Sequence, residues 1–219
     1  MRTLSNMGLG LIGQLKPKPA MGDAPSMTYL PSANTTGGIP LMQALAQRRS
    51  LREFDPAPLP LQMLSDLLWA AAGINRAALA GHTAPSAMNA HEVSVYAALP
   101  TGLYLYGALT QSLSLVSATD VRRVTGYQDL VDTAPLELVF VADSSRLSLL
   151  PAAQRTSCAW AAAGAMAQNV SLYCASAGLS TVVRAWFDHE ALTQSMGLTR
   201  NQQVLLSQTV GRPRVASKP

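Results

Sequence analysis

The sequence predicts an α+β fold, in which helices pack on a mixed but mainly antiparallel sheet. Short apolar runs separated by turn residues, at 92–99, 102–106 and 113–116, are typical of antiparallel strands. Longer stretches at 61–72 and from about 156 to 177 have the length and apolar spacing of helices. Because strands and helices do not alternate regularly, a doubly wound parallel sheet is not predicted.

Residues 1–38 are predicted to form an arm that is extended or partly disordered, since Gly, Pro, Ser, Thr and Lys dominate it without a sustained period. Residues 8–13 of the arm match the glycine spacing of a dinucleotide-binding motif. We interpret it as coincidence, because the few polar residues before it cannot supply the required strand. Residues 39–214 are predicted to form one domain, and 215–219 a tail.

Within this domain the first helix is predicted at 39–49, with Pro40 in its first turn, followed by extended chain up to the prolines near residue 58. Gly73 and Gly178 are expected to end the helices that precede them. The apolar run 136–142 should be a central strand, buried on both faces. The remaining predictions are a helix at 117–125, a strand at 181–187, a helix from Asp188 to Met196 and a strand at 204–210.

The composition narrows the function classes. Charged residues are 13% and aromatic residues 5% of the 219 residues, and the net charge of +4 comes without long basic runs. A nucleic-acid platform is therefore not predicted, whereas small anionic ligands fit. The uncharged stretch 156–177 is interpreted as a buried helix rather than a membrane span, because polar residues interrupt it. The apolar patch at 7–12 is shorter than the apolar core of a secretory signal peptide, so we expect a cytoplasmic location. An exported form is the open alternative.

Neither a disulfide nor a metal site is predicted. Cys158 and Cys174 are separated by sixteen residues of one helix, about 24 Å, and so cannot pair within one chain. No spacing of His, Cys and Asp suggests a metal ion.

The most distinctive stretch is the arginine segment, residues 48–52, which carries Arg48, Arg49, Ser50 and Arg52. Planar guanidinium groups suit phosphate and other anionic oxygens. The alternative is that these cations only offset the dipole of the preceding helix, a stabilisation of about 0.3–1 kcal/mol.

Three further segments accompany it: Pro85-Ser86-Ala87-Met88-Asn89, the stretch from Gln168 to Thr181, and Val210-Gly211-Arg212-Pro213. In this order, the four segments resemble those of the FMN-dependent nitroreductase superfamily, over about residues 40–214. The resemblance implies a three-layer fold with a central sheet flanked by helices. It also implies a homodimer with FMN at the interface, each site being built from both subunits. We expect the arm to wrap the partner subunit.

The resemblance also implies roles for individual residues. Arg48, Arg49, Ser50 and Arg52 would hold the phosphate, the ribityl hydroxyls and the pyrimidine edge of FMN. The turn Pro85, Ser86, Ala87, Met88 and Asn89 would contribute from the other subunit, with Ser86 and Asn89 facing the isoalloxazine. The strand at Val182, Val183 and Arg184 would run past the flavin, and Arg212 or Arg214 would add charge at the phosphate.

Two residues carry open alternatives. His91 stands where many family members have Gln, and it is either a substrate contact or a loop histidine bonded to backbone. Arg184 lies in an apolar strand, so it either reaches the surface or is a buried cation near the flavin or an anionic substrate, and then needs a partner.

The function implied is hydride transfer from NADH or NADPH through FMN to an electron-poor acceptor such as a nitroaromatic or a quinone. No protein acid or base is expected to be obligatory, because the flavin carries the chemistry. Two alternatives remain. One is a flavin-dependent oxidase or dehydrogenase of a metabolite or modified peptide, as in the azoline-forming branch, and the other is a dimeric binding protein for a phosphorylated ligand.

Overall fold

The computed structural model describes residues 16–22 and 24–214, together with Leu4 and Met7. Its centre is a seven-stranded sheet in the order β10-β11-β9-β5-β6-β7-β2, and the pairs of neighbouring strands in it are antiparallel. The strands are β1 (Lys18–Pro19), β2 (Met27–Tyr29), β3 (Ile74–Arg76), β4 (Gly81–His82), β5 (Val93–Leu99), β6 (Gly102–Gly107), β7 (Ser112–Ser117), β8 (Thr119–Asp120), β9 (Leu136–Asp143), β10 (Ser180–Arg184) and β11 (Gln202–Gly211).

Four α-helices accompany the sheet in the described chain: α1 (Leu41–Gln47), α2 (Leu61–Ala72), α3 (Ala152–Ala177) and α4 (His189–Met196). Short 3-10 helices cover Ala77–Leu79, Ala87–Asn89, Arg122–Thr125, Asp129–Asp132 and Ser144–Leu147. The long helix α3 contacts α1, α2, β10 and β11, so it is the element that joins the helical layer to the sheet.

The alternation of side chains along the central strands explains the three layers. On β9, Leu138 and Phe140 belong to the core on the side of α2 and α3, whereas Val139 and Val141 belong to the core on the side of α4. Side chains of successive strand residues point to opposite faces, so a continuous apolar run covers both. The predicted α+β fold and the central position of β9 are confirmed.

Several predicted boundaries shift. Helix α1 is shorter than 39–49, because the backbone of Arg48 leaves the helix with a ψ of 122°. Helix α3 begins at Ala152, directly after Pro151, rather than near residue 156. It ends before Gly178, as predicted, and Gly178 has a φ of 68°. Strand β10 ends at Arg184 rather than at residue 187. The capped helix at Asp188 is confirmed, since its carboxylate accepts a hydrogen bond from the backbone N–H of Ala191.

The predicted helix at 117–125 is wrong. Ser117 ends β7, β8 pairs with β1, and only Arg122–Thr125 form a 3-10 turn. The carboxylate of Asp120 accepts hydrogen bonds from the backbone N–H and the guanidinium of Arg122, and this buried ion pair sets the local backbone. The Asp120 side chain thus offers the backbone a local alternative to a helix, and the pairing of β8 with β1 adds a distant one.

The first part of the chain contributes to the main sheet. Strand β2 pairs with β7, and Leu30 after it is buried in the core. The string at 8–13 lies outside the described residues, and the contact of the arm with a partner subunit stays a prediction. Within the described residues, no helix has the length and apolarity that crossing a membrane requires.

Candidate active site

The arginine segment lies against the edge strand β10 and the end of β11. The backbone N–H of Leu51 donates to the carbonyl of Thr181 across 2.9 Å. Three residues after the segment, the backbone N–H of Asp55 donates to the carbonyl of Arg212 across 2.9 Å. Phe54 forms an antiparallel bridge with Pro213. Two segments that are far apart in sequence, the arginine segment and the C-terminal arginines, are therefore neighbours in the fold.

Close packing around Phe54 makes this neighbourhood possible. Phe54 is buried in a small cluster with Ala134 and Val182. A Cβ atom at Gly211 would lie 2.9 Å from the ring of Pro135 and 3.2 Å from the ring of Phe54. Glycine at this position therefore allows the arginine segment to approach the end of β11.

A cleft opens between the arginine segment, helix α3 and strand β10. It consists of two adjoining cavities of about 480 Å³ and 270 Å³, which share Arg48, Arg49, Ser171 and Thr181 in their walls. Ser50, Val182 and Val183 line the smaller cavity, and Pro213 lines the larger one. The structure thus brings together three of the four segments singled out in the sequence: the arginine segment, the stretch from Gln168 to Thr181, and the stretch from Val210 to Pro213.

Five arginines in or next to this cleft have no side-chain partner in the described chain. Arg48 and Arg49 line the cavities, whereas Arg52, Arg212 and Arg214 are exposed residues that line neither of them. None of the five side chains makes a hydrogen bond or an ion pair within the described residues. By contrast, Arg122 and Arg184 each pair with a buried carboxylate. Free cations next to a cleft offer donors to an anionic ligand, which the helix-dipole alternative does not require.

Gln208 supports the floor of the cleft. Its buried side-chain amide donates to the carbonyl of Ala167 at 3.3 Å, to Ser171 Oγ at 3.2 Å and to Thr181 Oγ1 at 3.0 Å. These bonds tie α3 to β10 beneath the arginine segment. Cys174 also lines the cleft, and burial raises the pKa of its thiol, which therefore stays protonated.

Arg184 is a buried cation, as one alternative predicted, but its partner lies within the chain. Its Nη2 donates to Glu137 Oε2 and its Nη1 donates to Thr209 Oγ1 at 2.6 Å. Burial raises the pKa of Glu137 above its ordinary value, and the adjacent Arg184 guanidinium opposes this shift only in part. The side chain of Arg184 thus holds β10 on the sheet, and a contact of this guanidinium with a flavin or a substrate stays a prediction.

The serine turn, residues 85–89, is not part of this cleft. None of its residues lines either cavity, and Asn169 of α3 donates to the carbonyl of Thr83 just before it. Met88 and Asn89 are exposed, with φ angles of 53° and 56°. Positive φ values in residues other than glycine carry strain, which proteins retain mainly at functional sites.

His91 is packed behind the serine turn. Its ring stacks on that of His82, with 3.9 Å between the ring centroids and 21° between the planes. The backbone N–H of His91 donates to Ser86 Oγ, its carbonyl accepts from Arg146, and its Nε2 is buried without a partner in the described chain. Burial, and then the neighbouring His91, lower the pKa of His82.

The sequence analysis missed three buried polar residues, namely Glu92, Glu137 and Gln208. All three are fully buried, and each bonds to a residue of the segments described above. A polar residue inside an otherwise apolar strand is a signal that could have revealed them. Within the described residues, no group of three or more His, Cys, Asp or Glu side chains could hold a metal ion.

Comparison with known proteins decides the family. The family model described as "Nitroreductase family" matches residues 45–212, which is most of the chain. The chain belongs to the nitroreductase family. The resemblance inferred from the four sequence segments is confirmed, and the family assigns this nitroreductase to the oxidoreductases.

Individual relatives agree with this assignment. A protein of Methanocaldococcus jannaschii named "Putative nitroreductase" is 29% identical over 163 residues, covering 69% of this chain and 82% of its own length. A crystal structure from Ralstonia eutropha, titled as that of a "putative nitroreductase", shares 49% identity with a TM-score of 0.88, covering 92% of this chain and 96% of its own. The NADPH:FMN oxidoreductase of Vibrio harveyi, at 21% identity and a TM-score of 0.60, covers 82% and 72% and shows the fold alone.

Proposed function

We propose that this nitroreductase is an FMN-dependent oxidoreductase that passes a hydride from NADH or NADPH to an electron-poor acceptor such as a nitroaromatic or a quinone. The observation that carries the proposal is that Arg48 and Arg49, which line a cleft of about 480 Å³, have no side-chain partner in the described chain. A phosphate-bearing cofactor fits this set of donors, because each guanidinium presents a planar fork of N–H groups to anionic oxygens.

The residues that line the cleft, together with the exposed Arg52, Arg212 and Arg214 beside it, would bind different parts of the cofactor. Arg48 and Arg49, with Arg212 or Arg214, hold the phosphate, and Ser50 and Arg52 hold the hydroxyl-bearing chain and the pyrimidine edge. The backbone of Val182 and Val183 borders the ring system, on a strand that Gln208 and Leu51 keep in place. Bound FMN supplies the two-electron chemistry, and a cation beside its pyrimidine edge favours the reduced anionic form.

We further propose that the working unit is a homodimer. The serine turn does not line the cleft of its own chain, so Pro85, Ser86, Ala87, Met88 and Asn89 would complete the site of the partner subunit. Leu41, Met42 and Leu45 on α1 and Trp160 on α3 expose apolar side chains that a second copy would cover. Exposed apolar side chains on a folded chain are typical of protein interfaces when they form a patch that a partner can cover.

The first experiment is a visible absorption spectrum of the purified protein after incubation with FMN and removal of free ligand, with the released cofactor identified by mass. We expect about one FMN per chain, given one cleft per chain. Anaerobic addition of NADH or NADPH should bleach the flavin, and initial rates with a quinone should show ping-pong behaviour, because donor and acceptor use the same site in turn.

A variant pair connects this experiment to the arginine segment. Arg49→Met removes one free guanidinium, and we expect FMN to bind roughly 10- to 100-fold more weakly, the usual range for a lost hydrogen bond to a charged group. Arg200→Met is the matched control, since Arg200 is an exposed arginine that lines neither cavity of the cleft. It should bind FMN as the unchanged protein does.

Other results point to the alternatives. Tight FMN binding without oxidation of either nicotinamide would favour an oxidase or dehydrogenase of a metabolite or modified peptide. Failure to take up FMN would favour a dimeric protein that binds a different phosphorylated ligand. A monomer that nevertheless binds one FMN per chain would contradict the proposed completion of the site by a second subunit.

A further inference from the structure

The buried carboxylate of Glu92 has few hydrogen-bond partners. Its side chain is fully buried, and the residue lies directly before β5, which begins at Val93. The Ser86 hydroxyl donates to its Oε2 at 2.5 Å, whereas Oε1 has no hydrogen-bond partner in the described chain. Burying such a group is costly unless it is well bonded, so its presence calls for a reason beyond stability.

The same hydrogen bond organises the serine turn. Ser86 Oγ accepts from the backbone N–H of His91 at 2.7 Å while it donates to Glu92. Met88, Asn89 and His91 all have positive φ values, so the closed ring from Ser86 to Glu92 holds a strained backbone. Strain of this kind persists where the surrounding contacts over-determine a conformation that function needs.

The hydrogen bonds also determine what Ser86 can offer to a ligand. A serine hydroxyl has one proton and two lone pairs. The proton is used by Glu92 and one lone pair by the N–H of His91, and the residue itself is only half-buried. What is left is a single lone pair, so a ligand atom opposite Ser86 must be an N–H or O–H donor.

We propose that Glu92 is a positioning residue, which fixes the Ser86 hydroxyl as a hydrogen-bond acceptor for an N–H group of the bound cofactor. The isoalloxazine carries such a donor in its imide N–H. The inference rests on the proposed function, since Ser86 is expected to face the flavin held by the partner subunit. It adds to that function a residue that touches neither cofactor nor substrate and acts through Ser86.

Four variants test the proposal by FMN titration and by denaturant unfolding of the cofactor-free protein. Glu92→Met keeps the approximate volume but removes the acceptor, which frees the hydroxyl proton of Ser86 to turn toward the cofactor. We expect FMN to bind about tenfold more weakly, as for one lost hydrogen bond. The cofactor-free protein should be as stable as before or more stable, because a poorly bonded buried charge has been removed.

Glu92→Gln is the conservative rescue, because its side-chain carbonyl can still accept the proton of Ser86. It should bind FMN within about threefold of the unchanged protein. Ser86→Ala should lose as much affinity as Glu92→Met, and the double variant should lose no more than either, because one interaction is removed in all three. Glu190→Met, at an exposed position of α4, is the control for loss of a carboxylate.

The outcomes separate this inference from the proposed function. If the unchanged protein fails to bind FMN, the proposed function is overturned and the inference with it. If the unchanged protein binds FMN and Glu92→Met binds equally well, only the inference is overturned. A Glu92→Gln variant as weak as Glu92→Met, additive losses in the double variant, or reduced stability of cofactor-free Glu92→Met would each overturn it too.

Discussion

The carbonyl oxygen of Thr181 accepts a hydrogen bond from the backbone N–H of Leu51, 2.9 Å away, and the hydroxyl of the same threonine accepts one from Gln208 at 3.0 Å. Thr181 is thus held by the arginine segment on one side and by the buried strand β11 on the other. Because it lines both cavities, the width of the cleft depends on these two bonds.

Replacing Gln208 with Leu should affect both stability and cofactor binding. The change removes an amide that bonds to Ala167, Ser171 and Thr181 and leaves two buried hydroxyl groups with fewer donors. We expect the free energy of unfolding to fall by about 1–3 kcal/mol and FMN to bind more weakly. Urea unfolding of the cofactor-free protein and FMN titration measure the two effects separately.

The matched control is Gln203→Leu, on the same strand but exposed and without a side-chain hydrogen bond in the described chain. A surface change of this kind should alter stability by less than about 0.5 kcal/mol. Equal effects of the two substitutions would contradict the role given to Gln208.

The buried pair of Arg184 and Glu137 should behave as one unit in a double-mutant cycle. Each residue replaced alone by Met leaves the other charge buried and unpaired, so we expect each single variant to lose roughly 3–5 kcal/mol of stability. The double variant should lose clearly less than the sum, because no unpaired charge is left. Denaturant unfolding of the four proteins gives the coupling, and losses that simply add would rule out an essential pairing.

Acid should weaken the region around the serine turn through His82. The folded protein holds the pKa of His82 below its ordinary value of 6.5, so below about pH 6.5 the unfolded chain binds more protons than the folded chain. The contribution of His82 to stability is therefore fully present above pH 6.5 and is lost as the pH falls toward the lowered pKa. A plot of unfolding free energy against pH should fall there by at most about 1.4 kcal/mol per pH unit.

His82→Phe keeps an aromatic ring against His91 but cannot be protonated. Its stability should depend less on pH below pH 6.5 than that of the unchanged protein. An identical pH profile for both proteins would show that another group is responsible for the acid sensitivity.

Much of the architecture could be predicted from local patterns. The apolar run of β9 identified a central strand, and the helix α3 with its end at Gly178 followed from composition and from glycine chemistry. The region after Ser117 was mispredicted, because β8 pairs with a strand a hundred residues earlier and the guanidinium of Arg122 donates to the carbonyl of Ala134, twelve residues later. Local propensity contains no information about such distant partners.

The sequence by itself determined the family, the arginine segment and the order of the four segments, because these depend on residues that are neighbours along the chain. Only the tertiary structure decided which cations are free. Among the residues that the structure describes, Arg48 and Arg49 line a cleft and have no side-chain partner, whereas Arg184 is paired with Glu137. It also decided that Glu92 and Gln208 support Ser86 and Thr181. The physical reason is that pairing of buried polar groups follows strand register and packing across the sheet, which bring together residues far apart in sequence.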